Sequence, residues 1–93
     1  MIIGALKCEL FIYDAGSLKA KRAVVKSLVV RLGQRYNLSV AETAYQDLWQ
    51  RTELSIVVVA TTKKRCDQEL QRALALIDAD PESERTLTEI EWL

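Results

Sequence analysis

The spacing of apolar residues along this chain switches between two and about 3.6, and the order of those switches admits few folds. From Ile2 to Tyr13, Leu6, Cys8, Leu10 and Ile12 point one way, while Lys7, Glu9, Phe11 and Tyr13 point the other. This is the pattern of a strand with one buried face. Asp14-Ala15-Gly16 then forms a turn and Ser17 is a good N-cap. Leu18, Val25, Leu28, Leu32 and Tyr36 follow at helical spacing, with Gly33 lowering the helix's own propensity and Asn37 placed as a left-handed stop. Leu38–Tyr45 reads as a second strand with weak alternation, and Gln46–Arg51 as a connector. The β-rich stretch 53–61 contains the nearly unbroken run Ser55–Ala60, which predicts a central strand covered on both faces. Thr62 caps a second helix with the apolar stripe Cys66, Leu70, Ala73, Leu74 and Ile77, ended by Asp80-Pro81. Thr86–Leu93 closes the chain as a strand.

The order β-α-β-β-α-β is the split βαβ arrangement of a ferredoxin-like α+β fold: two helices on one face of a four-stranded antiparallel sheet. Right-handed crossovers give strand order 4-1-3-2. Length fits one domain over residues 1–93, with no repeat or linker dividing it. In this topology Gly16–Arg22, Gln46–Arg51 and Asp78–Arg85 share one rim, and Lys63-Lys64-Arg65 falls at the other, where it carries little functional weight. Leu10, Val58 and Leu74 are expected to be buried together.

Composition removes several classes of function. Apolar runs are far shorter than the roughly 18 residues of a membrane span, and Lys7 and Glu9 interrupt the first of them, against a signal peptide. There is no histidine, and Cys8 and Cys66 both fall on apolar faces. They read as small core residues in a cytoplasmic protein, with no metal site, no cofactor and no thiol nucleophile expected. Cys-x-x-Cys, Gly-x-x-Gly and a glycine-rich phosphate loop are absent, and the third strand lacks base-stacking aromatics. No enzyme is expected.

Net charge is zero, from 13 basic and 13 acidic residues, but its distribution is uneven. Between Ala15 and Ala41 there are six cations and no acid, whereas Asp78–Leu93 holds six acids against Arg85. Lys19, Lys21 and Arg22 crowd the first turns of a helix, where positive charge is unfavourable unless an anion compensates it. That anion is either an external phosphate or carboxylate, or the acidic loop Asp78–Glu84 on the same rim; a solvated basic face is the third reading. On the connector, Trp49 beside Arg51 can stack on a base, anchor a protein partner, or pack against the sheet or a second copy. Lys19, Lys21, Arg22, Trp49 and Arg51 are therefore the candidate anion, RNA or partner-binding residues. The helix-free sheet face is expected to carry Phe11, Val57, Val59, Ile90 and Trp92, which makes it a candidate homodimer interface.

Three blocks carry a family resemblance: Ile2-Ile3-Gly4 with Cys8-Glu9; Ser17-Leu18-Lys19 with Lys21-Arg22 and Lys26-Ser27-Leu28; and Gln46-Asp47-Leu48-Trp49-Gln50-Arg51. With the closing Ile90-Glu91-Trp92-Leu93, they resemble the small bacterial YlxP-like family over essentially the whole chain. Ala20 departs from the family's usual acidic residue, which weakens a capping box from Ser17. The resemblance implies a ferredoxin-like dimer and an association with ribosomal subunits or RNA. The expected function is thus a non-enzymatic cytoplasmic binding protein acting through the basic rim. The alternative is a homodimeric protein-interaction or small-molecule regulatory module that does not touch RNA.

Overall fold

A computed structural model describes all residues, 1–93. Strand β1 spans Ile2–Ile12, helix α1 Leu18–Arg35, β2 Ser39–Ala44, β3 Arg51–Ala60, α2 Lys63–Asp78 and β4 Ser83–Trp92. All pairings are antiparallel, and the sheet order is β2-β3-β1-β4, the expected order read from the other edge. Helix α2 lies over β1 and β3, and α1 over β2. No helix is long and apolar enough to cross a membrane.

The alternation of β1 builds the core directly. Leu6, Cys8, Leu10 and Ile12 are each about 1% exposed and meet Leu54, Ile56 and Val58 of β3 beneath Leu28 and Leu32 of α1 and Leu70, Ala73 and Leu74 of α2. Leu10, Val58 and Leu74 do share this core. Both helices begin at the expected caps: Ser17 Oγ accepts from the Ala20 amide and Thr62 Oγ1 from the Arg65 amide. Gly4 matters through its missing side chain, because a Cβ there would meet Cys66 Sγ at 2.8 Å.

Four expectations need correction. Strand β3 is covered on one face only: Val57 and Val59 are 42% and 56% exposed, since both helices lie on the other side of the sheet. Asn37 is not left-handed; α1 ends on Tyr36 in an extended conformation, and Tyr45 is the one non-glycine residue with positive φ. Strand β4 starts at Ser83, three residues earlier than its apolar pattern indicates, because Ser83 pairs with Ile12. Ile90 and Trp92 lie on the helix side. They pair with Leu6 and Gly4, whose side faces the helices, and the Trp92 ring reaches over Gly4 toward Cys66 while Lys63 Nζ sits 4.9 Å from its centroid.

Both edge strands are bulged. Register shifts occur between Glu42 and Ala44 on β2 and opposite Glu9/Leu10 on β4, which leaves Thr43 and Thr86 as the extra residues. Both fall on the cross-sheet line through Glu53 and Glu9. Bulges sharpen local twist and blunt an edge against further strand pairing. The sheet beyond that line carries the β2–β3 loop.

Candidate functional site

The expected rim is assembled. Gln50 donates through Nε2 to the carbonyls of Tyr13 (2.9 Å) and Ile12 (3.3 Å), and Ile12 N donates to Gln50 O. Tyr13 N donates to Glu82 O, joining the segment before β4 to the same end.

Lys21 holds this rim from within. Its side chain is fully buried, and its three ammonium protons are matched by three acceptors: Glu42 Oε2 at 2.7 Å, Tyr45 O at 2.7 Å and Gln46 O at 3.2 Å. Thr52 Oγ1 also donates to Glu42 Oε2. Lys21 is therefore not available to an external anion, which corrects its place among the candidate binding residues. Its position continues the buried stripe Val25, Leu28 and Leu32, so helical spacing already put it on the core face. The acidic loop does not neutralise the α1 cations at its start either: Asp78 pairs with Arg85 and Asp80 with Arg31. Lys19 and Arg22 are exposed and make no ion pair.

Tyr45 is the pivot of the loop. Its φ of 62° is left-handed, a conformation that costs a non-glycine residue about 1–3 kcal/mol unless its surroundings impose it. Here they do. Its carbonyl accepts from Lys21 and from Leu48 N, its hydroxyl donates to Glu9 Oε1 and accepts from Arg51, and its ring lies 3.8 Å from the Arg51 guanidinium carbon. The hydrogen bond to Glu9 holds its phenol above the usual tyrosine range. Arg51 in turn forms an ion pair with Glu9 at 3.0 Å. Neither Tyr45 nor Glu9 stands out in the sequence as a site residue; the signal for Glu9 is that it is the one acid in the first strand.

Against this fixed frame Leu48 and Trp49 are half exposed, at 47% and 52%. With Leu10, Phe11, Arg51 and Thr86 they line an open groove of about 480 Å³. The structure brings Trp49, Arg51 and Phe11 together there, on the helix-free side, and leaves Lys19 and Arg22 on α1 in the other layer. Of the five candidate interface residues, Phe11, Val57 and Val59 lie on the open face and Ile90 and Trp92 do not. Cys8 and Cys66 are free and buried, and burial pushes the Cys8 thiol up to about 11. No group of three histidine, cysteine, aspartate or glutamate side chains is placed to hold a metal ion.

Residues 3–90 match the family described as "Protein of unknown function (DUF503)". The chain belongs to this family. A Bacillus subtilis (strain 168) relative, "Uncharacterized protein YlxP", is 50% identical over 91 residues, spanning 98% of this chain and 99% of the relative. Among solved structures, the de novo designed protein LFR1 1 with ferredoxin fold aligns at a TM-score of 0.59 and 17% identity, covering 98% of this chain and 86% of the design. The de novo designed protein Foldit4 aligns at 0.56 and 14% identity, covering 100% and 97%. At these identities the designs speak for the ferredoxin-like fold alone.

Proposed function

We propose that this DUF503 protein is a non-catalytic cytoplasmic binding module whose working surface is the groove between Phe11 and Trp49, and that its partner is a protein. The observation that carries this reading is the loop itself. A strained Tyr45, a buried lysine and an Arg51–Glu9 pair all fix the backbone that presents two half-exposed apolar side chains. Holding a contact surface rigid before binding lowers the entropy lost on association, and tryptophan, tyrosine and arginine are the side chains that dominate interface energetics. Two free, buried thiols accord with a cytoplasmic setting.

A second reading keeps RNA or a ribosomal subunit as partner, through a different surface from the one the sequence suggests. Lys19, Arg22 and Lys26 are exposed, free of ion pairs and spaced to form one stripe on α1. Two variants separate the readings. Trp49→Ala is expected to abolish retention of partner proteins on the immobilised chain, while the triple variant Lys19→Ala/Arg22→Ala/Lys26→Ala retains them. If the triple variant alone loses its ligand, and that ligand is RNA bound with a steep salt dependence, the function belongs to α1.

A further inference from the structure

Strand register sorts the charges along the open face at whose end the groove lies. Cross-strand partners share a face. Ala5, Lys7 and Glu9 therefore set Glu91, Glu89 and Leu87 of β4 on the open side, and Phe11 sets Glu84 there. Glu53 joins them from β3, opposite Glu9. Glu9 is engaged by Arg51, but Glu53, Glu84, Glu89 and Glu91 have no ion-pair partner. Against these four carboxylates stands one unpaired ammonium, Lys7. The same face and its loop carry seven of the eleven exposed large apolar side chains, with Phe11, Tyr13, Leu48, Trp49 and Leu87 concentrated toward the loop end. Carboxylates thus run from Glu84, opposite Phe11 at the apolar end, along the face to Glu91, whereas the outer surface of α1 is cationic.

We infer that the occupant of the groove is a cationic polypeptide segment carrying an apolar side chain. The apolar group seats between Phe11 and Trp49, and its lysines or arginines lie over Glu84 and Glu89; this rests on reading the groove as a protein-binding surface. The charge selects among occupants. A phosphodiester chain is repelled here. A second copy packed face to face would bring two faces with the same excess of carboxylates together. Addition of a strand at either edge is discouraged by the bulges at Thr43 and Thr86. A segment lying across the face meets none of these obstacles.

Amide NMR spectra of the full chain, titrated with three synthetic peptides of equal length, test this. The first alternates lysine and arginine around a Leu-Phe pair, the second has glutamate at every cation, and the third has serine there. The expected result is shifts at Phe11, Trp49, Glu84 and Glu89 with the cationic peptide, at an affinity about tenfold above the serine peptide and falling with salt. No binding of the glutamate peptide is expected, and Glu84→Gln/Glu89→Gln should weaken the cationic peptide several-fold. Equal affinity of the serine and cationic peptides overturns the inference and leaves the groove reading intact. Cationic binding that ignores Trp49→Ala overturns the groove reading itself. Shifts at the same residues on concentrating the protein alone assign the face to a second copy and overturn the inference.

Discussion

Lys21 tests the site at the scale of one residue. Replacing it with methionine keeps most of the side-chain volume and leaves the partly buried Glu42 without its cation, the Gln46 carbonyl without this donor and the Tyr45 carbonyl with the Leu48 amide alone. Breaking a buried pair by removing one partner costs about 3–5 kcal/mol. Lys19→Ala, on the exposed side of the same helix, should stay within about 0.5 kcal/mol of wild type. Urea unfolding of the two variants measures the difference, and a second change, Glu42→Leu, should recover part of the Lys21→Met loss. The pairing itself was not legible: a lysine on a helix's apolar stripe reads as basic until the acceptor facing it is known, and Glu42 lies on a strand whose alternation is too weak to assign a face. Cys8 supplies a pH test. Its folded thiol titrates near 11 against an ordinary value of 9.0 because burial disfavours the thiolate. The unfolded chain therefore releases this proton first. The contribution is fully present below pH 9, falls as pH rises from 9 to 11, and levels off beyond. Cys8→Ala should show a shallower decline in urea midpoint between pH 8.5 and about 11 than wild type does.

At the scale of elements, α2 and the start of β1 are coupled through a glycine. A Cβ at Gly4 would lie 2.8 Å from Cys66 Sγ, 3.0 Å from Leu70 and 3.1 Å from the Trp92 ring. Gly4→Ala should lower stability by about 1–3 kcal/mol through overpacking. Leu74→Ala, in the same helix layer, should lower it by about 2–5 kcal/mol through the cavity it leaves. Denaturation midpoints check both. The periodicities of β1 and α2 made these elements readable because each has one buried face and no charged residue on it. Strand β3 misled for a specific reason: a run of six β-branched and small residues, Ser55–Ala60, looks the same whether one face or both are covered, and only the helix positions decide it. Trp92 and Ile90 went to the wrong face because the Thr86 bulge offsets β4 by one residue, reversing the side each residue takes relative to a count made from the loop end.

The whole molecule is polarised, with α1 cationic outside and the open sheet face acidic along its length from its apolar end. Net charge is zero, so composition alone hides this arrangement; strand pairing is needed to place Glu53, Glu84, Glu89 and Glu91 together. Salt then separates the two kinds of assembly this face can make. Binding of a cationic segment should weaken as ionic strength rises, while any face-to-face self-association should strengthen as the like charges are screened. Light scattering across a salt series, read against the 10.6 kDa of one chain, follows the second effect.

Site-specific photo-crosslinking in cells tests whether the Phe11–Trp49 groove is the working surface. A benzophenone side chain at Leu48, on the groove rim, is compared with one at Gln34 on exposed α1. One protein adduct is expected from position 48, lost when the cationic Leu-Phe peptide competes, and none from position 34. Adducts to RNA from position 34, with none from position 48, would contradict it.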